Sequence, residues 1–212
     1  SSKSLDYLRE SNLDAAEPLL LQALSIESSN PDVLRFLGII YAQRKDYAQA
    51  LKYLETSIRI NPQNGISHSN LGNVLFELGQ FENALNAYDN AIKLAPTYAE
   101  AWSNKGVTLH ELKRLDEAIS HYDKALTLQP DYHDASWNKC LSLLLQGNYE
   151  DGFPLYESRW NSKKVRIMDT YTEGRHDCNP HIHVKDTMNP KFLWMAVEGK
   201  ITSDSNVLDR KS

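Results

Sequence analysis

A fixed repeat period constrains this chain more than any other feature. The step that carries Gly72 to Gly106 also carries Ala84 to Ala118, Tyr88 to Tyr122, Ala91 to Ala125 and Pro96 to Pro130. The same step backwards reaches Gly38, Ala50, Leu54, Ser57 and Pro62. One register held across three consecutive units predicts a stack in which each unit buries its core against its neighbours rather than around a single centre.

Within a unit the apolar spacing marks two helices. Asn30-Pro31 is a helix-start signal, because proline at the first helical residue gives up an N–H that has no partner anyway. Leu34, Leu37, Gly38 and Tyr41 then recur at helical spacing, the pattern breaks near Lys45-Asp46, and Tyr47, Ala50, Leu51, Leu54 and Ile58 mark a second helix ending before Pro62. Units fall near 1–30, 31–64, 65–98, 99–132 and 133–164, with 165–212 left as a tail of unassigned structure. The first is worn: Tyr7, Leu13, Ala16, Leu20 and Ala23 fall where the later repeats place Tyr41, Tyr47, Ala50, Leu54 and Ser57.

The recurring small residues are a matter of clearance. A mid-helix glycine costs about 1 kcal/mol against alanine, so Gly38, Gly72 and Gly106 must permit a close approach that offsets the loss. Ala84 with Ala91, and Ala118 with Ala125, stand two turns apart on one face and admit the next hairpin, while Tyr88 and Tyr122 fill the space beside them.

This pattern resembles the tetratricopeptide repeat family over roughly residues 1–162, most closely at Ala101–Gly106 and Leu115–Ala125. The resemblance implies an all-α fold, a right-handed α-α superhelical solenoid of about five helical hairpins, followed by an irregular C-terminal tail. The last unit departs from the pattern: Cys140 replaces the glycine, Gly152 and Arg159 replace alanines, and Lys164 replaces the proline. Its run Leu143–Trp160 is similar to the last repeat of bacterial O-linked N-acetylglucosamine transferase-like proteins, which continue into a nucleotide-sugar transferase domain. Trp194 and Gly199-Lys200 faintly echo the entry to that domain, and only the short stretch Ile201–Ser212 follows them.

Asn70, Asn104 and Asn138 stand one period apart, each just ahead of the glycine or its substitute. An amide both donates and accepts, so one such group per hairpin could grip the main chain of an extended peptide without reading its side chains. The resemblance implies the same role, since the transferases hold acceptor polypeptides on an asparagine ladder; Phe36 interrupts the ladder in the second unit. The bland alternative is that asparagine is only a tolerated exposed helix residue. Asn73, Phe76, Glu77, His110, Glu111 and Trp137 should share that face through offsets of three, four and seven, with Trp137 either stacking on a ligand or covering apolar surface of the last repeat. A clamp for a C-terminal carboxylate is disfavoured, because Ser69 and Ser103 stand where that clamp has basic residues and Arg35 is the lone basic match. Lys105 and Lys139 fall on a more buried phase, where their stems should lie along the seam.

His176, Cys178, His181 and His183 crowd zinc-ligand types into one short run, but the spacing fits no familiar finger, and solvated loop histidines are the plainer reading. No phosphate-cradling glycine loop, nucleophile elbow or paired carboxylate can be picked out, so neither catalysis nor a cofactor is expected. A net charge of -5 without long runs of one sign argues against nucleic acid. The expected partner is therefore a protein or peptide, with no membrane, and with a homo-oligomer as a further possibility. Cys140 and Cys178, far apart and without a second pair, fit a reducing compartment, and with no signal-like apolar core at Ser1-Ser2-Lys3-Ser4 a cytoplasmic location is expected, the alternative being a targeting segment already trimmed away. Three roles remain open: a scaffold gripping an extended segment, the substrate-recognition region of a larger glycosyltransferase, and an adaptor self-assembling through its own tail.

Overall fold

The computed structural model describes residues 13–156, and all regular structure among them is helical. In chain order the helices are α1 (Leu13–Ile26), α2 (Pro31–Gln43), α3 (Tyr47–Ile60), α4 (Gly65–Glu77), α5 (Phe81–Leu94), α6 (Ala99–Glu111), α7 (Leu115–Leu128), α8 (His133–Gln146) and α9 (Tyr149–Leu155). Helices α2 and α3, α4 and α5, α6 and α7, and α8 and α9 pair as hairpins, and the second helix of each hairpin also packs on the first helix of the next. This is the stacked all-α arrangement that the period predicts. The tail beyond residue 156, with His176, Cys178, His181 and His183, lies outside the described residues.

Helix starts follow the local chemistry where the sequence supplies it. Asn30 Oδ1 accepts from the backbone N–H groups of Asp32 and Val33, and Asn64 Oδ1 from those of Ile66 and Ser67. Tyr98 and Tyr132 stand at the same place before α6 and α8 and make no side-chain cap.

The hairpin turns repeat in detail. Lys45, Gly79, Lys113 and Gly147 each have positive φ, at 63°, 71°, 62° and 84°. In each turn the left-handed residue and its successor donate back to carbonyls near the end of the preceding helix, as Gly79 does to Phe76 and Lys113 to His110. A left-handed residue bearing a Cβ costs about 1–2 kcal/mol, and glycine there is penalised mainly by its unfolded-chain entropy, about 0.5–1 kcal/mol. Lys113→Gly is therefore expected to stabilise the chain by about 0.5–1 kcal/mol in a urea titration. A loss of stability would show that the lysine side chain holds the turn.

The glycines sit where the clearance argument puts them. A Cβ added to Gly38 would lie 2.6 Å from Leu54 Cγ, and one at Gly72 or Gly106 would lie 2.6 Å from Cε1 of Tyr88 or Tyr122. Those rings are almost wholly buried, at 2 % and 1 % exposure, between alanines at 0 %. In the last unit Cys140 fills the glycine place and is buried. Tyr156, one period beyond Tyr122, instead meets Trp137 edge-on at 5.6 Å between centroids, as expected once a side chain occupies the place where a ring would lie. Gly152 supplies the close approach there, its added Cβ falling 2.8 Å from Leu144 Cδ2.

Ion pairs repeat along two seams: Asp89 with Lys105 and Asp123 with Lys139, each at 2.5 Å. The lysine side chains are 16 % and 21 % exposed, so their stems lie along the seam as the sequence phase suggests. Half-exposed pairs of this kind contribute about 0–1 kcal/mol each.

Candidate functional site

The first helices α2, α4 and α6 touch one another in succession, and two adjoining cavities open along that side. The first, about 550 Å³, is lined among others by Arg35 and Ile39 of α2, Lys45 of the following turn, Tyr47 and Leu54 of α3, Ile66, Asn70, Asn73 and Glu77 of α4, and Tyr98 and Glu100 where α6 begins. The second, about 420 Å³, is lined by Asn73, Phe76 and Glu77 of α4, Tyr88 of α5, Glu100, Asn104 and Val107 of α6, and Tyr132 and Asp134 where α8 begins. Asn73, Glu77 and Glu100 border both, so the two form one groove.

The three ladder asparagines differ in their surroundings. Asn70 lines the first cavity, and its Nδ2 is buried without a hydrogen-bond partner. Arg35 Nε, in the same cavity wall, is likewise buried and unpaired, although its Nη2 reaches Asp32 at 3.3 Å and its guanidinium lies 4.1 Å over the Phe36 ring. Asn104 lines the second cavity and donates from Nδ2 to Asn73 Oδ1 at 3.0 Å. That oxygen also accepts from the Tyr88 hydroxyl at 2.8 Å. Asn73 thus braces α4 to both α5 and α6, a role its position alone does not reveal, because Val107 replaces it one period later. Asn138 is half-buried on α8, and its carbonyl accepts from Ser142 Oγ at 3.0 Å.

Among the other expected groove residues, Glu77 borders both cavities and Glu111 is exposed at the end of α6. Trp137 is half-buried against Tyr156, the arrangement of a residue that covers the last hairpin. His110 bridges two units, with Nδ1 2.7 Å from Ser142 Oγ. Where the Ser142 hydroxyl donates to the Asn138 carbonyl, the matching tautomer has the proton on Nδ1, which then donates to Ser142 Oγ. Burial holds the His110 pKa below the ordinary imidazole value, with Lys113 adding to and Glu111 opposing the shift. Burial does the same to His121, whose ring lies 5.6 Å from Trp102. A histidine with depressed folded pKa takes up its proton more readily when unfolded, so stability is expected to fall as pH drops from 7 through the folded pKa values. Thermal melts at pH 7 and pH 5 check this, and His110→Gln should flatten part of the slope.

Tyr98, Glu100, Tyr132 and Asp134 are groove residues that pattern reading passes over. The signal was present: Tyr98 and Tyr132 are one period apart, as are Glu100 and Asp134. The Tyr98 hydroxyl donates to Glu100 Oε2 at 2.7 Å. Burial and then the Glu100 carboxylate raise the Tyr98 and Tyr88 hydroxyls well above the ordinary phenol range, and burial, Glu100 and Asp134 push Tyr132 up to about 12. Three phenols on the groove wall therefore experience one negative field. Among the described residues no group of three or more His, Cys, Asp or Glu is placed to hold a metal ion.

A hairpin repeat with small residues at the seams and a groove along its first helices defines a helical repeat protein. Two family models, both described as Tetratricopeptide repeat, match residues 7–71 and 69–133 and together span more than half of the chain. The chain belongs to the tetratricopeptide repeat family. Among solved structures it is similar to PilW, a type IV pilus biogenesis factor, at 20 % identity over 74 % of this chain and 73 % of that one, with a TM-score of 0.69. PilF of Pseudomonas aeruginosa matches at 21 % identity over 74 % of this chain and 72 % of that one, TM-score 0.68. YrrB, a TPR protein with an unusual peptide-binding site, matches at 23 % identity over 81 % of this chain and 89 % of that one, TM-score 0.58. A search of curated proteins returns no match.

Proposed function

We propose that this chain is a non-catalytic protein-interaction module that holds an extended segment of a partner protein along α2, α4 and α6. The observation that carries the reading is the open groove whose wall contains a buried, unpaired amide donor, Asn70 Nδ2. A buried donor left unsatisfied costs roughly 1–3 kcal/mol, and a peptide carbonyl laid in the cavity removes that cost. Asn104 lines the second cavity at the same phase, its Nδ2 already engaged by Asn73, and Asn138 continues the phase on α8, so a segment running along the groove toward α8 passes these amides in turn. That YrrB is a protein with a peptide-binding site supports the class of ligand.

The reading keeps the solenoid at 1–164 separate from the tail at 165–212, needs no cofactor and places the chain in the cytoplasm. No helix among the described residues is long and apolar enough to cross a membrane. The recognition region of a glycosyltransferase and a tail-assembled adaptor would use the same groove, and no observation among the described residues favours either.

The test is selection of random dodecapeptides by phage display on the full chain, followed by affinity measurement with Asn70→Ala, Asn104→Ala, Asn138→Ala and the triple variant. Each amide bond contributes about 0.5–1.5 kcal/mol net, so the triple variant is expected to bind at least about tenfold more weakly. Its melting temperature should fall only by the loss of the Asn104–Asn73 brace. Unchanged affinity would remove the ladder from the mechanism.

A further inference from the structure

The second cavity carries a charge that the ladder does not require. Glu77, Glu100 and Asp134 reach it from three successive first helices, and no Lys or Arg stands among its described lining residues. Its other walls are the rings of Phe76, Tyr88 and Tyr132, apolar faces against which an alkyl stem can lie while its charged end stays among the carboxylates. In the adjoining cavity Asn70 Nδ2 lacks an acceptor, and two cations, Arg35 and Lys45, stand on its walls. An acidic partner residue would have to enter beside Glu77 and Glu100, which border both cavities.

Resting on the peptide-binding reading, we propose that the groove selects a basic segment: a partner Lys or Arg side chain fills the cavity between Glu77, Glu100 and Asp134 while a main-chain carbonyl of the same segment accepts from Asn70 Nδ2. The aromatic walls fit a long aliphatic stem, and the cavity of about 420 Å³ has room for one such side chain with accompanying water. Arg35 and Lys45 lie on the first-cavity wall, where they repel a second cation and so help fix the register of the segment. The three carboxylates act mainly through complementarity, which sets partner choice and association rate more than raw affinity.

The test uses the full chain and the same dodecapeptide library, with selected peptides assayed against wild type and the Glu100→Gln/Asp134→Asn double variant. Both substitutions keep shape and one accepting oxygen each, which the Tyr98 hydroxyl can still reach, and a circular dichroism melt confirms the fold. The expected result is enrichment of Lys or Arg at one peptide position, loss of about tenfold or more in affinity when that residue becomes Gln, and a similar loss in the double variant. Affinity should also weaken as salt rises. Enrichment without basic residues, or peptides that bind the double variant as tightly as wild type, would overturn this inference and leave the groove as a peptide site. Failure to enrich any peptide, or enrichment insensitive to the asparagine triple variant, would overturn the peptide-binding reading and this inference with it.

Discussion

Tyr122→Ala is expected to lower the unfolding free energy by about 3–5 kcal/mol, the range for removing a buried ring and leaving a cavity behind. The ring is 1 % exposed, packs with Leu85, Leu109 and Ala118, and lies over Gly106. In a stack each unit contacts only its neighbours, so the damage stays at the α6–α7 hairpin and its flanks. A urea titration followed by far-UV circular dichroism should then lose its single transition, because the array on either side of the weakened hairpin can unfold separately. One cooperative transition with stability reduced by less than about 1 kcal/mol would show that the ring is not a main seam residue.

The second large effect is a reversal of sign at the partner position. In the wild-type background Gly106→Val places a Cβ 2.6 Å from Tyr122 Cε1, and the buried ring has no free direction in which to move. Overpacking of this kind costs about 1–3 kcal/mol, and it outweighs the few tenths gained in helix propensity. With Tyr122→Ala already present the ring is gone, the added methyl groups enter the space it leaves, and the same substitution should stabilise the chain. Residues in contact show interaction energies of about 0.5–3 kcal/mol, so the double-variant cycle should depart from additivity by at least that much. Additive changes would mean that Gly106 and Tyr122 do not limit each other.

These contacts explain why the fold was legible from sequence. Gly72 faces Tyr88 and Gly106 faces Tyr122 at one and the same spacing, and each glycine is costly in a helix unless something large lies against it. The same phase exposed Lys105 and Lys139 as seam residues. The left-handed turn residues were less legible, because Lys45 and Lys113 occupy places that Gly79 and Gly147 fill without penalty. Residue type hid a conformation that spacing would have revealed.

The site was legible only in part. Asn70 and Asn104 were found by phase, and both line the groove. Phase could not show that Asn104 leans on Asn73, because Asn73 has no counterpart one unit later, and a brace made once leaves no periodic trace. Glu100 and Asp134 do recur, but a carboxylate in the first turn of a helix is ordinarily read as a response to the helix dipole. Only the cavity between α4, α6 and α8 shows that both face the same space as Glu77. For Trp137 the sequence leaves two roles open, and its contact with Tyr156 fits the covering one.

The central claim is that a partner segment lies in the groove along the first helices and not on the outer faces of the second helices. Backbone amide NMR shifts of the full chain, recorded with and without a selected dodecapeptide, test it most directly. The account predicts that the largest shift changes fall on α2, α4, α6 and the start of α8, with Asn70 and Asn104 side-chain amides among them, and that α3, α5 and α7 are nearly silent away from Tyr47, Leu54 and Tyr88, where the second helices reach the cavities. Changes concentrated on α3, α5 and α7 would contradict it.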